Sequence, residues 1–304
     1  MPVYKKVTLL GSGSFGKAFL VMEKGGDGTK FVLKSIDMSG MDAVAREETL
    51  NEAKVFACIP PHPFIVRYRR SYILEDQLCI VMEHCAGGDM HSRIQRQKKK
   101  NERFQEAQIT LWLAQALLGL KHLHERHILH RDLKPQNLFL NERDDLLIGD
   151  FGIAKVLDST HSCARTTIGT PYYFSPELCQ QHRYSFPSDV WSLGCIIYEM
   201  VSNALPHCAL AVPFRAQSLK CLVKTIANTP VGAHPPLKSA MEPLCVPAVP
   251  SVYSAELRQL VTDMMQKDPS KRPTVHQMVS LPFIQVRLYS SGDEHVFGAF
   301  WASH

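Results

Sequence analysis

The chain has 304 residues, 45% of them hydrophobic and 21% charged, and a formal net charge of +5, which excludes a disordered or fibrous protein. No apolar run approaches the roughly 18 residues that span a bilayer, and the first residues lack the apolar segment of a signal peptide. Nine cysteines without a CxxC pair favour reduced thiols over disulfides or a zinc site, so we expect a cytoplasmic or nuclear protein without a membrane partner.

The first 90 residues predict a small strand-rich lobe with one main helix. Apolar runs, several of them separated by glycine-rich turns, predict strands over 3–10, 18–22, 31–36 and 78–82. Apolar residues spaced among charges predict an amphipathic helix over 42–58. Residues 83–88 contain Gly87-Gly88 and predict a short hinge.

Beyond residue 90 the pattern becomes helical. Long apolar segments predict helices over 105–126, 189–201 and 254–266. Residues 228–250 hold six of the 19 prolines and predict an irregular surface excursion. The chain therefore predicts an α+β fold with a small β-rich lobe, a hinge and a larger, mainly helical lobe.

Residues 93–103 concentrate the positive charge, on Arg93, Arg96, Lys98, Lys99, Lys100 and Arg103. Such a run can bind an acidic partner, but a solvated helix end or loop is the better interpretation. Because neither a nucleic-acid motif nor interleaved aromatic residues accompany the charge, we expect no nucleic-acid partner.

A GxGxxG motif with a small residue after it occupies residues 11–18. Glycines let the backbone fold closely over phosphates, with amide hydrogens where a side chain would block the approach. A dinucleotide site needs a helix after the glycines, whereas here a strand is predicted, which favours a phosphate-covering hairpin. A glycine-rich hairpin without a ligand remains an open alternative.

Lys34 lies on the predicted strand 31–36, eighteen residues before Glu52 on the predicted helix. A strand lysine binds the α- and β-phosphates of a nucleotide when a carboxylate on a facing helix holds it in place. Glu52 is one of several acids there, but it shares a helical face with Phe56, which we expect in the core. The alternative is a surface lysine and an exposed glutamate.

The segment His130 to Asn137 reads HRDLKPQN, and Asp150-Phe151-Gly152 begins thirteen residues after Asn137. In this pattern Asp132 accepts or orients the proton of an attacking hydroxyl. Asn137 and Asp150 offer the hard oxygen ligands that Mg²⁺ prefers. Lys134 can neutralise charge on a transferring phosphoryl group. The order of all these motifs in one chain favours phosphoryl transfer over chance.

A threonine-rich segment leads to Ser175-Pro176-Glu177. In the pattern that begins with Asp-Phe-Gly and ends in a Pro-Glu triplet, a regulatory phosphate lies between the two. Thr166 is the first candidate for it and Thr167 the second, with Arg131 as the phosphate's partner. Glu177 requires a buried cation, and we expect an ion pair with Arg272.

With these motifs the chain resembles the eukaryotic protein kinase superfamily over about residues 4–284, and Lys134-Pro135 is similar to its serine/threonine branch. The details resemble the NIMA-related (Nek) kinases. The segments that carry this resemblance are 13–18, 80–89, 133–137 and 169–178.

The resemblance implies a bilobal kinase fold over 1–284, with lobes 1–82 and 89–284 around the hinge 83–88, and a tail over 285–304. It implies ATP and Mg²⁺ as cofactors, with Met82 as gatekeeper and Glu83 to Cys85 bonding the adenine. The ATP-binding residues that it implies are Leu10, Gly11, Ser12, Gly13, Ser14, Phe15, Gly16, Lys17, Ala18, Lys34, Met82, Glu83 and Cys85.

The resemblance also implies protein substrates and activation by an upstream kinase or by autophosphorylation. Besides the cytoplasm or nucleus, it adds the cytoskeleton, the cilium and its basal body as expected locations. No heptads support a coiled coil, so we expect a monomer. Two alternatives stay open: a pseudokinase scaffold that binds protein partners, and a small-molecule kinase that shares the fold.

Overall fold

The computed structural model describes residues 3–13, 16–150, 172–202, 212–214, 216, 218–229, 231, 246 and 248–290. The predicted arrangement of a small β-rich lobe and a larger helical lobe is confirmed. Within the described residues, no helix is both long and apolar enough to cross a membrane.

The small lobe is a five-stranded antiparallel sheet with one long helix on it. The strands follow the order β1-β2-β3-β5-β4, with bounds β1 Tyr4–Gly13, β2 Gly16–Glu23, β3 Lys30–Asp37, β4 Tyr68–Leu74 and β5 Gln77–Glu83. Helix α1, Ala43–Cys58, packs against β4. Asp42 caps this helix by accepting a hydrogen bond from the backbone N–H of Ala45, which satisfies one of its unpaired donors.

A short second sheet joins the lobes. Its strands β6 Gly88–Asp89, β7 Leu138–Leu140 and β8 Leu146–Ile148 pair in that order. The predicted hinge residues 84–87 connect this sheet to β5. Gly87 lies so close to β7 that an added Cβ would be 2.7 Å from the backbone oxygen of Leu140, so the crossing needs glycine.

The larger lobe is helical. The bounds of its helices are α2 Met90–Lys99, α3 Glu106–His124, α4 Pro176–Cys179, α5 Phe186–Ser202, α6 Leu219–Asn228, α7 Ala255–Met264, α8 Val275–Val279 and α9 Pro282–Ser290. Helices α3 and α5 form the centre of the lobe, because most of their residues are buried. Trp112 and Trp191, one on each helix, are both 0% exposed.

Several elements differ from the sequence-based expectation. Strand β4 has two arginines among its apolar residues, and α2 is mostly polar, so neither has a clear hydrophobic period. Helix α9 crosses the expected end of the domain at residue 284, and its Leu288 belongs to the main core. The packed region thus includes part of the expected tail. Of the expected excursion over 228–250, the structure describes only short pieces.

Candidate active site

The glycine motif includes the end of β1 and the start of β2, which pair with each other. Gly13 pairs with Gly16 at the end of the hairpin, whose tip residues Ser14 and Phe15 lie outside the described residues. Gly16 has a φ of 136°, and a Cβ there would be 1.8 Å from the backbone oxygen of Ser35. Any other residue at this position would push the hairpin away from β3. A Cβ on Gly11 would meet nothing within 4 Å, so the hairpin leaves open space there.

Lys34 and Asp150 meet in the cleft between the lobes. Lys34 pairs with Ile80 in the middle of the sheet, and its ammonium group forms an ion pair with Asp150 Oδ1. The two side chains are 20% and 36% exposed. The backbone of Glu52 lies on α1, but its side chain is outside the described part, and so is its expected contact with Lys34. Asp150 is thus the partner that the structure gives Lys34.

Asp132 is held by two neighbours on its own loop. Its Oδ2 accepts hydrogen bonds from Lys134 Nζ at 2.6 Å and from Asn137 Nδ2 at 3.0 Å. Asn137 Nδ2 also donates to the backbone oxygens of Asp132 and Asp150, at 2.7 and 3.4 Å. Asn137 therefore links the two acidic residues. Because its NH₂ group faces these acceptors, its Oδ1 is the atom available to a cation.

His130 links the loop of Asp132 to the backbone before Asp150. The ring is fully buried; its Nδ1 accepts from the backbone N–H of Asp132 at 3.3 Å, and its Nε2 donates to the oxygen of Gly149 at 3.0 Å. Only a neutral ring with its proton on Nε2 satisfies both bonds. Burial lowers the pKa of His130, which favours this neutral form.

Asp189, at the start of α5, holds the backbone of the same loop. Its carboxylate is 0% exposed and accepts from the backbone N–H groups of His130 and Arg131, at 3.1 and 3.2 Å. It also contacts His124 Nε2 at 2.9 Å and the hydroxyl of Tyr184. Burial by itself raises the pKa of Asp189, but the hydrogen bond and charge of His124 outweigh it, so the pKa is lowered. The carboxylate therefore stays ionised and fixes the loop.

The expected hinge presents backbone groups at the cleft. Met82 is 7% exposed and pairs with Val32 on β3. The backbone N–H of Glu83 donates to Arg67, while that of Cys85 has no acceptor among the described residues. Burial, helped by the Glu83 carboxylate, raises the pKa of the Cys85 thiol to about 12. The thiol of Cys85 is therefore protonated at neutral pH.

Glu177 and Arg272 form a buried ion pair below the cleft. Arg272 donates through both terminal nitrogens to the two carboxylate oxygens, each at 2.8 Å, and its side chain is 0% exposed. Ser188 donates to Glu177 at 2.6 Å. Burial raises the pKa of Glu177, but the hydrogen bonds from Arg272 and Ser188 reverse this and lower it. The pair joins α4 to the chain after α7.

The remaining predicted residues are divided between the described and undescribed parts. Leu10, Ser12, Lys17 and Ala18 lie on the glycine hairpin, and the first three are exposed. Thr166 and Thr167 lie outside the described residues. The side chain of Arg131 is exposed, and its backbone has a φ of 66°.

Sequence reasoning missed the supporting residues His130, Asp189, His124 and Tyr184. One signal was present, because Asp189 is the acid in the first turn of a largely apolar helix. A charged group there is rarely buried without partners.

The residues of the cleft fit a nucleoside triphosphate with Mg²⁺. The carboxylate of Asp150 and the Oδ1 of Asn137 are hard oxygen ligands on adjoining backbone segments, joined by the bond from Asn137 Nδ2 to Asp150. Lys34 adds a positive charge beside Asp150, and the open hairpin lies on the neighbouring strands. The N–H of Cys85, which has no acceptor within the described part of the chain, is a donor for a ring nitrogen.

Comparison with known proteins agrees with this chemistry. The protein kinase domain model matches residues 4–284. The chain is 42% identical over 288 residues to serine/threonine-protein kinase Nek1 of Mus musculus, which covers 95% of this chain and 22% of that protein. It is 40% identical to the probable serine/threonine-protein kinase nek3 of Dictyostelium discoideum, over 93% of this chain and 24% of that protein.

A third relative, serine/threonine-protein kinase Nek5 of Homo sapiens, is 39% identical over 94% of this chain and 37% of that protein. The chain thus spans about a quarter of the first two relatives' length and rather more of the third. The chain belongs to the protein kinase domain family, and the resemblance to Nek kinases that its motifs predict is confirmed.

Proposed function

We propose that the chain is an active serine/threonine protein kinase, which transfers the γ-phosphoryl group of ATP to hydroxyl groups of protein substrates. The observation that carries this proposal is the meeting of Lys34 with Asp150 next to the oriented carboxylate of Asp132. The relatives that match most of the chain are named serine/threonine-protein kinases, which supports the same activity.

In the proposed reaction Asp132 positions the acceptor hydroxyl and takes up its proton as the hydroxyl oxygen bonds to the γ-phosphorus of ATP. The bond from that phosphorus to the bridging oxygen of the β-phosphate breaks, and ADP leaves. Lys134 Nζ lies 2.6 Å from Asp132 Oδ2 and offsets the negative charge on the transferring phosphoryl group. Asn137 keeps the carboxylate of Asp132 in one orientation. His130 and Asp189 act one step further out, because they fix the backbone on which Asp132 lies.

ATP supplies the phosphoryl group and Mg²⁺ offsets its charge. We assign the metal to Asn137 and Asp150, and the phosphates to Lys34 and to the hairpin of Gly11, Gly13 and Gly16, including Ser14 and Phe15 at its tip. Leu10, Ala18 and Met82 would enclose the adenine, with the backbones of Glu83 and Cys85 as its hydrogen-bonding partners. The contact of Glu52 with Lys34 belongs to the same proposal.

We further propose activation by a phosphate on Thr166, or failing that on Thr167, added by an upstream kinase or by the chain itself. Arg131 supports this, because its side chain is exposed and forms no ion pair with the described acids. Mass spectrometry of the active protein tests the site. Phosphate on neither threonine in a fully active sample contradicts it.

The wider setting rests on the sequence pattern and on the resemblance. It comprises monomeric protein with protein substrates, located in the cytoplasm, at the cytoskeleton or cilium, or in the nucleus. The kinase domain over 1–284 is likewise a proposal.

Transfer of labelled phosphate from ATP to casein, compared between the parent protein and Asp132→Asn, tests the activity. We expect the variant to lose about 10³-fold in rate, which is within the range for removal of a catalytic acid or base. Equal incorporation by both proteins contradicts the proposal and favours a scaffold without catalysis.

A further inference from the structure

The positive charge of the chain lies in one segment. Residues 93–103 carry six basic residues and one acidic residue, a net charge of +5. The whole chain also has a net charge of +5, so the remaining residues are balanced. This segment comprises α2 from Arg93 onward and the turn that follows the helix. A local excess of one charge attracts ligands of the opposite charge.

The backbone of this segment is fixed by a helix-ending motif. Asn101 has a φ of 54°, its N–H donates to the oxygen of Lys98 at 3.0 Å, and the N–H of Glu102 donates to Gln97 at 3.2 Å. This is the Schellman arrangement that ends a helix. The side chain of Gln97 also donates to the oxygen of Arg103 at 3.2 Å. The basic residues are therefore attached to a preorganised backbone.

Contacts among the described residues account for part of this charge. Arg93 contacts Asp144 at 3.3 Å and lies over the ring of Trp112. The exposed side chains of Lys99, Lys100 and Arg103 form no ion pair with any acid that the structure describes. The helix dipole favours cations in the last turn, but Lys100 and Arg103 lie beyond it. A structural role therefore leaves part of the charge unexplained.

The segment lies on the same lobe as the reacting centre. Helix α2 packs against Pro135–Asn137, which follows Asp132, and against β7. At about 1.5 Å per residue, the basic end of α2 is some 15 Å along the helix from its first residue. An extended peptide spans about 3.3 Å per residue. A substrate bound at Asp132 can thus reach this end with a linker on the order of ten residues.

We propose that Arg96, Lys99, Lys100 and Arg103 form a docking surface for an acidic segment of the protein substrate, distant from the phosphorylated residue. This rests on the proposed kinase activity. An acidic peptide fits better than a membrane, because the described residues between Leu74 and Phe186 include no large exposed hydrophobic side chain that could insert into lipid. Nucleic acid is disfavoured by the same lack of exposed aromatic rings for stacking.

The test uses peptides with one serine that a flexible linker of about ten residues joins to a charged or neutral tract. The tract is glutamate in one peptide and glutamine in the other. Each peptide is made with the tract before the serine and with the tract after it. The variant is Lys99→Glu/Lys100→Glu. Its matched control is Lys220→Glu/Lys224→Glu, which makes the same charge change at two exposed residues of α6. Lys99→Gln/Lys100→Gln provides a milder change, and thermal unfolding checks that each variant folds.

For the glutamate peptide we expect the α2 variant to raise KM about tenfold, with kcat unchanged, and the neutral variant to raise it less. The glutamine peptide and the α6 control should show no change. Added salt should reduce the advantage of the glutamate peptide. Equal KM values for the two peptides with the parent protein, or equal losses in the α2 and α6 variants, overturn the proposal.

Fluorescence anisotropy with glutamate peptides that carry alanine in place of serine separates docking from catalysis. If no peptide is phosphorylated, the proposed activity fails, yet tenfold weaker binding by the α2 variant still supports the docking surface. Binding that the α2 substitutions do not change overturns it. The proposal is also overturned if the protein binds anionic phosphatidylserine vesicles or single-stranded RNA more tightly than the peptide and the α2 substitutions weaken that binding.

Discussion

The cleft and the support beneath it use charged residues in opposite ways. In the cleft, Lys34 and Asp150 are 20% and 36% exposed and contact each other through one ion pair. In the support, the side chains of Asp189 and Arg272 are both 0% exposed and have several hydrogen bonds each. The groups assigned to chemistry can exchange partners, whereas those that position them cannot.

This difference has a physical cause. A partly exposed ion pair is screened by water and adds little stability, so giving it up for a substrate costs little. A buried charge that loses its partner remains desolvated, which costs several kcal/mol. We therefore expect substitutions in the cleft to reduce activity without unfolding the protein, and substitutions in the support to reduce stability first.

Replacing the cleft lysine should give the largest effect. We expect Lys34→Met to lower kcat/KM about 10³-fold, because it removes the cation proposed to hold the phosphates. The free energy of unfolding should change by less than about 1 kcal/mol. The matched control is Lys30→Met, at the exposed start of the same strand. Steady-state kinetics and urea unfolding measure both; a normal rate in Lys34→Met contradicts the assignment.

Replacing the buried carboxylate of Asp189 should reduce stability first, whereas Lys34→Met should reduce activity with little change in stability. Asp189→Asn places an NH₂ group against donors from His130, Arg131 or Tyr184. We expect a loss of about 3 kcal/mol in unfolding free energy. Asp76→Asn, at an exposed ion pair with Arg46, should cost less than about 1 kcal/mol. Equal urea midpoints for the two variants would show that burial does not set the cost.

The pH dependence of the free energy of unfolding should reveal the contribution of Glu177. Its pKa is lowered in the folded protein, so its contribution is present above the ordinary value of 4.5 and is lost as the pH falls. Glu177→Gln should be about 3 kcal/mol less stable at pH 7, and this gap should narrow below pH 4.5. The exposed Glu256→Gln is the control. A gap that stays constant down to pH 3 would rule out this linkage.

The smallest effect concerns the hinge. The pKa of the Cys85 thiol is about 12, so little thiolate is present near pH 7.5. Iodoacetamide should therefore modify the exposed Cys58 and Cys221 well before Cys85, as followed by peptide mass mapping. Modification of Cys85 at the same rate as Cys58 would mean that the hinge is more open than the structure shows.

The sequence predicted the cleft better than its support. Asp132 and Asn137 lie five residues apart in one local motif, and the structure joins them by a hydrogen bond at 3.0 Å. Asp189 is separated by 59 residues from His130 and by 65 from His124. Contacts at such separations depend on how the helices pack, and no local period records that. Similarly, Leu288 is buried on α9, which packs on α3 and α8.

Urea unfolding of Asp132→Asn, beside its phosphate-transfer rate, is the most direct test of the division between cleft and support. The Asp132 side chain is 19% exposed, and its Oδ2 accepts hydrogen bonds from Lys134 and Asn137 of its own loop. The account predicts an unfolding midpoint equal to that of the parent with a rate about 10³-fold lower. A midpoint lowered as far as that of Asp189→Asn would contradict it.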